Sequence, residues 1–277
     1  ELGISSRNLV GALKWNMDVN FSVNRNKILK LSDTVDVLYK NTPGAVLGQE
    51  NQILRVGQPV GMFYGYVYEG VQQEGEEMLT GSEGVGGEKF KDVNEDGMLN
   101  AEDRTIMGNP NPDFIWGFNN TFTYKGFDLN IFFQGSQGNE IANYTRFELD
   151  GLIGKSNATS AMERAWTPEN TNTDVPAIKS RPARFSSRWI EDGSYIRLKS
   201  LALGYSLPGH IAEKISLRSL RIYVSGQNLW TSTNYSGVDP EVSFRSSGTE
   251  ESNRNLGLDF ASYPMAKSYT VGLSIGF

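Results

Sequence analysis

Alternation of apolar and polar residues with a period of two recurs along this chain, and it predicts long β-strands. In "WNMDVNFSV", Trp15, Met17, Val19, Phe21 and Val23 share one face, while Asn16, Asp18, Asn20 and Ser22 occupy the other. In "FIWGFNNTFTYKGFDLNIFFQG", Phe114, Trp116, Phe118, Phe122 and Tyr124 share a face. The chain then turns at Lys125–Gly126, and Leu129, Ile131 and Phe133 stand opposite Asp128, Asn130 and Gln134. "SYIRLKSLALGYSLP" predicts another long strand, with alternation that blurs around Ser200 as a bulge would blur it. "LRIYVSGQNL" sets Leu220, Ile222 and Val224 against Tyr223, Ser225 and Gln227. The cleanest stripe is the last, "YTVGLSIGF", where Tyr269, Val271, Leu273, Ile275 and Phe277 alternate with Thr270, Gly272, Ser274 and Gly276.

The polar faces separate two all-β architectures. A soluble sandwich turns a charge-rich face to bulk water, whereas these strands carry Asn, Ser, Thr, Gly and Gln with few charges. Their apolar faces hold Trp, Tyr and Phe, often near strand ends. A lipid-facing band with aromatic girdles around a polar lumen gives this pattern. The competing reading is a β-sandwich with an aromatic core.

Connection lengths agree with a barrel. Tyr124 to Phe127 and Pro208 to Leu217 are short, whereas Arg25–Pro112, Ser136–Asp192 and Thr231–Pro264 are long, polar loops. Short and long connections alternate, as they do between the two rims of an outer-membrane barrel. With the final strand running inward, all three long loops fall on the extracellular side, the first as an excursion over residues 26–112.

Composition narrows the function. There are 30 glycines and 10 prolines, as strands and turns require, and 38% hydrophobic residues. The net charge of −6 and absence of a basic stripe argue against nucleic acid. With no cysteine and one histidine, His210, neither a disulfide, a thiolate site nor a His-based centre is expected. His210, next to Gly209 in a short turn, reads as an exposed bystander. No apolar run is long enough for a spanning helix, and a mean hydropathy of −0.40 remains compatible with alternating barrel strands. The chain opens at "ELGISSRN" without a signal peptide, as if within a longer sequence. No nucleophile elbow, phosphate loop or dinucleotide fingerprint is present. The acidic doublets Glu76–Glu77, Glu102–Asp103, Glu191–Asp192 and Glu250–Glu251 read as solvated loop residues, not as an acid–base pair. The chain is therefore expected not to be an enzyme.

One loop carries metal chemistry. In "KDVNEDGMLNAED", Asp92, Asn94 and Asp96 hold positions 1, 3 and 5 of an EF-hand-like loop, with Gly97 at the sharp turn. Met98 offers a carbonyl at position 7, Asn100 sits at 9 and Asp103 at 12. Hard cations take six to eight oxygens, so the spacing predicts calcium, with magnesium as the alternative, bound as a structural staple over residues 92–103. Asp in place of Glu at position 12 shortens the reach. The competing reading is a solvated Asx-rich turn.

In combination, these segments resemble a known family. "DVNEDGMLNAEDRTIMGNPNPDFIWGFNNTFTYKGFDLNIFFQGSQGNEI", "RWIEDGSYIRLKSLALGYSLP", "LRIYVSGQNLWTSTNYSGVDPEV", "YPMAKSYTVGLSIGF" and "GQPVGMFYGYVYEG" are similar, in order, to stretches of SusC/RagA-type TonB-dependent outer-membrane transporters. The resemblance covers essentially residues 1–277. It implies an antiparallel transmembrane β-barrel segment, about seven strands from the C-terminal portion of a 22-strand barrel, with the plug domain absent. It further implies import of a glycan or peptide across the outer membrane of a Gram-negative bacterium. The implied partners are a SusD-like surface lipoprotein, TonB, outer-membrane lipid, and the remainder of the barrel and plug.

Two further expectations concern aromatics. Trp166, Tyr144 and Tyr235 lie in predicted loops and are candidates for stacking on substrate or partner, while Trp189 and Trp230, near strand ends, read as girdle residues. The stripe Tyr269, Val271, Leu273, Ile275 and Phe277 resembles the signal read by the barrel-assembly machinery. A secreted, calcium-stabilised β-domain acting as a carbohydrate-binding module or adhesin stays open as the alternative.

Overall fold

The computed structural model describes residues 1–41, 50–152, 157–178, 184–242 and 256–277. Glu250–Glu251 lie outside the described residues. The hairpin of β1 (Leu2–Val10) and β2 (Leu13–Ser22) leads into the first long excursion. That excursion holds β3 (Val37–Asn41), β4 (Glu50–Arg55), β5 (Met62–Gly65), β6 (Tyr68–Val71), β7 (Glu88–Phe90) and β8 (Thr105–Gly108). A second hairpin follows, β9 (Phe114–Tyr124) and β10 (Phe127–Gln137). Next come β11 (Glu140–Asn143), the helix α1 (Tyr144–Asp150) and β12 (Ile190–Asp192). β13 (Tyr195–Ser206) reaches β14 (Ser219–Thr233) through the short helix α2 (Gly209–Ala212). Finally β15 (Leu258–Asp259) precedes β16 (Ser268–Gly276).

Seven long strands form one antiparallel sheet in the order β1-β2-β9-β10-β13-β14-β16, open at both edges. The register carries the alternation across every strand. Leu129 pairs with Phe122 on one side and Leu203 on the other, and Leu203 with Val224, which pairs with Val271. All of these therefore share one face. The β9–β10 turn works because Lys125 and Gly126 both take positive φ, 46° and 87°, as a tight two-residue hairpin requires. The blurred alternation near Ser200 is a bulge: the register shifts between Leu198 and Ser200.

Nothing among the described residues covers the apolar face of this sheet. Among the described residues, every fully buried apolar side chain lies outside the seven long strands. Val271 is 78% exposed and Leu273 59%. Leaving such side chains in water forgoes about 1.5–3 kcal/mol each. A sandwich would cover this face with a second sheet; among the described residues no second sheet lies on it. The opposite face is a polar ladder, in which Asn130 donates to Asn119 and Thr121 (2.8 and 3.1 Å) and Ser5 to Asp18 (2.7 Å).

The long connections are not structureless loops. They hold three small sheets, β3-β4-β5-β8, β6-β7 and β12-β11-β15, and the principal hydrophobic core. That core joins Phe63 from the first excursion, Ala142, Tyr144, Phe147, Phe185 and Trp189 from the second, and Leu258 from the third. Strand alternation sends all three excursions from one end of the sheet, where they pack into a single layer.

Candidate functional site

The acidic turn is organised from its own backbone outward. Glu95 and Gly97 take positive φ (61° and 75°), and Asp92 accepts from the amides of Gly97 (2.8 Å) and Asp96 (3.3 Å). Asp96 accepts from the Met98 amide (2.8 Å) and from the side-chain amides of Asn94 (3.0 Å) and Asn100 (3.4 Å). Leu99 is buried, and its N–H donates to the Thr80 carbonyl (2.8 Å), tying the turn to a neighbouring segment. Asp103 behaves differently. It is fully buried, accepting from the amides of Val93 (2.9 Å) and Asn100 (2.8 Å), in a capping box that starts the turn over Ala101–Asp103.

The donor set fits a cation in part. Asp92, Asn94, Asp96, Met98 and Asn100 lie along the turn and none of them is buried, whereas Asp103 is fully buried. Among the described residues no three acidic side chains converge as ligands of one ion.

The aromatic candidates are placed by packing. Tyr144 is fully buried, stacked on Phe185 at 5.1 Å between ring centroids, so it is core and not a ligand platform. Tyr235 is also buried, and its hydroxyl donates to Asp259 (2.5 Å). Burial and the adjacent Asp259 carboxylate push its phenol well above the usual tyrosine range. Trp189, expected at a membrane girdle, sits at the centre of the loop core with its indole donating to the Arg184 carbonyl (3.2 Å). The reason is that its neighbours in sequence fold inward across the excursion layer. Trp166 is half-buried over Gly86, donating to Gln73 (3.2 Å), and so supports loop packing over ligand contact. Trp230 is 51% exposed on the apolar face of β14.

Two polar clusters were not legible in the sequence. At the rim, Arg197 of β13 is buried on the polar face and donates to Asp239 (2.6 Å) and Glu241 (2.5 Å). Gln134 and Lys199 also donate to Glu241 (2.7 and 3.1 Å). Burial alone would raise the Asp239 carboxyl, but Arg197 and the amides of Met265 and Glu241 outweigh it and hold it below its usual range. In the loop layer, Glu191 accepts from Arg146 (3.1 Å), from the Ser236 amide and hydroxyl (both 2.8 Å) and from Asn143 (3.2 Å). These bonds overcome its burial and likewise lower its pKa. Glu88 is the opposite case. Burial against β6 pushes it up to about 7, and neither Arg188 (3.4 Å) nor the Arg184 amide (3.2 Å) offsets the desolvation.

No three of these groups form a nucleophile, base and oxyanion-stabiliser arrangement. His210 is exposed on α2. On β16, Tyr269, Val271, Leu273 and Ile275 all face the uncovered side, and Phe277, at 91% exposure, follows the last strand residue.

The chain is 47% identical over 283 residues to TonB-dependent receptor P3 of Formosa agariphila, a match to 100% of this chain and 28% of that protein. It is 26% identical over 272 residues to TonB-dependent receptor SusC of Bacteroides thetaiotaomicron, covering 95% of this chain and 24% of that one. The solved structure of the RagAB peptide transporter shares its fold, with a TM-score of 0.79 over 99% of this chain at 24% identity. The chain belongs to the SusC/RagA-type TonB-dependent receptors.

As a TonB-dependent receptor segment, it spans about a quarter of the length of the curated relatives it matches. The same holds for the RagAB structure, of which 28% is covered. No family model matches the chain. Membership explains the open sheet: the seven strands form part of a barrel wall, with lipid expected on the uncovered apolar face and the lumen on the polar one.

Proposed function

We propose that this chain forms part of the wall and outer loop layer of an outer-membrane importer in a Gram-negative bacterium. The observation that carries this reading is the uncovered apolar face of a sheet whose other face is polar. An open sheet edge is not tolerated in hydrocarbon, so β1 and β16 require the remaining strands of the barrel. The cargo would be a glycan or peptide, held between the loop layer and a SusD-like lipoprotein and admitted by TonB acting on the plug. Passage would be gated binding, with no covalent chemistry from these residues.

The loop end of the sheet would then face outside. There the turn over residues 92–103 would hold calcium through Asp92, Asn94, Asp96, Asn100 and the Met98 carbonyl, with Asp103 as its buried cap. Magnesium is the competing ion. Calcium would supply positive charge that ties the exposed oxygens together, stiffening the excursion. The stripe ending at Phe277 would present the strand to the barrel-assembly machinery. A secreted β-domain accounts less well for the fold, because it would leave the β16 stripe in water.

Uptake by cells carrying or lacking the complete receptor tests the reading, with labelled oligosaccharides and peptides as probes. Receptor-dependent, TonB-dependent accumulation of one class is expected. Equal accumulation in both strains for every probe contradicts import.

A further inference from the structure

The lipid-facing side of the sheet carries a recess as well as a band. Leu129, Leu201, Leu203, Val224, Leu229 and Val271 line a largely apolar cavity of about 470 Å³, together with Gly226, Tyr269 and the backbone neighbours Ser225 and Thr270. Register places the paired residues on the outward face: Leu203 pairs with Val224, and Leu201 with Gly226, which pairs with Tyr269, while Leu229 lies in the shifted stretch and reaches the recess at Gly226. Within the recess, Gly226 stands seven residues from either end of the β14 span Ser219–Thr233.

Its origin is local. The β13–β14 register shifts between Leu198 and Ser200, and Asn228 on the facing strand takes a φ of 53°. The chain bends there, and Leu229 folds across Gly226, where an added Cβ would stand 2.7 Å from a Leu229 methyl. A strand residue without a side chain, beside a bulge that tilts its neighbours, leaves a hollow in an otherwise continuous wall.

The geometry points to this hollow as a seat for one acyl chain of a membrane phospholipid. The inference rests on the membrane reading above but not on import. The occupant follows from chemistry and position: the lining is mostly aliphatic, apart from Tyr269, Ser225 and Thr270, and charged groups are absent from it. At this depth in a spanning sheet, the surrounding medium is hydrocarbon. Bulk lipid is as apolar as the recess, so the hydrophobic effect gives no preference for the seat. Selection must come from shape, because a chain lying in the hollow gains dispersion contacts on more than one side. The seated lipid should therefore exchange more slowly than its neighbours and not bind irreversibly.

The test uses the complete receptor reconstituted in bilayers containing a phosphatidylethanolamine with a photoactivatable diazirine on its acyl chain. Peptide mapping after illumination should find adducts concentrated on Leu201, Leu203 and Leu229. Met17 and Phe122, outward residues outside the recess in the register rows of Leu201 and Leu203, serve as internal references. Filling the recess by Leu201→Trp should return labelling to the reference level, while Ile222→Trp, outside it, should not. Wild-type adducts spread evenly over the band overturn the proposal, even where a filled variant fails to assemble. So does protection of the recess relative to Met17 and Phe122, the mark of a protein occupant. Loss of transport with concentrated adducts would leave the seat standing.

Discussion

Arg197 on β13 and Asp239 in the third excursion lie 2.6 Å apart, and the same guanidinium reaches Glu241 at 2.5 Å. A barrel strand and a surface excursion are thereby joined on the polar side of the wall. Removing one partner of a buried charge cluster costs about 3–5 kcal/mol, because the remaining charges stay desolvated. Arg197→Met should therefore free residues 234–242 while the barrel survives. Hydrogen exchange in that segment should rise, with β14 unchanged; equal exchange in both proteins contradicts the clamp.

The same clamp predicts an acid limit. Asp239 is held below its usual range, so its contribution is present above the unfolded value near 3.8 and is lost as pH falls through the folded one. Glu88 has the opposite sign. Its folded pKa of about 7 exceeds the usual 4.5, so its contribution is full below 4.5 and fades as pH rises through 7. The loop layer should lose protection between pH 5 and pH 8, and Glu88→Gln should flatten that dependence. A slope unaltered by the substitution counts against burial as its cause.

On the lipid-facing side, the Trp15 indole donates to Asn120 at 3.0 Å while its ring stacks on Phe122. Asn120 shares its face with Met17 and Ile131, so without the indole its carbonyl has no water to turn to. Trp15→Phe should destabilise the barrel by about 1–3 kcal/mol, the usual cost of an unpaired buried polar group. In the Asn120→Leu background that penalty should shrink. Urea unfolding in detergent, run as a double-mutant cycle, measures the coupling.

The acidic turn separates ion binding from folding. Asp96→Asn should weaken calcium binding in calorimetry and leave the turn folded without metal. Asp103→Ala should lower the melting temperature even in chelator, since two backbone amides lose their acceptor, at about 1–3 kcal/mol. Absence of calcium heat in the unmodified receptor removes the staple and leaves Asp103 as a cap.

Sequence alone carried the wall. The stripes of β2, β9, β10, β14 and β16 were readable because lipid and lumen impose a strict period of two, and even the bulge at Ser200 left its mark. β1 was harder to single out, since Ser6 interrupts its outward stripe between Ile4 and Leu9. The excursion sheets were not readable. Their strands are two to six residues long, and partners such as Ala142 and Leu258 lie far apart in sequence. Trp189 and Tyr144 are ambiguous for a related reason: in sequence an aromatic beside a strand suits a membrane girdle as well as a loop core, and a loop aromatic suits ligand stacking as well as that core. The Arg197 cluster left no signal, because "GVDPEV" reads as an ordinary polar turn until the fold brings it to β13.

The central claim is that one face of the seven-stranded sheet meets lipid and the other a watery lumen. The chain contains no cysteine, so single-cysteine variants of the complete receptor read each position cleanly, provided any native cysteines elsewhere in it are replaced. In native outer membranes a water-soluble maleimide should label Ser225→Cys and Thr270→Cys but spare Val224→Cys and Val271→Cys. Labelling that fails to alternate along β14 and β16, or that reaches Val224 and Val271 freely, contradicts the account.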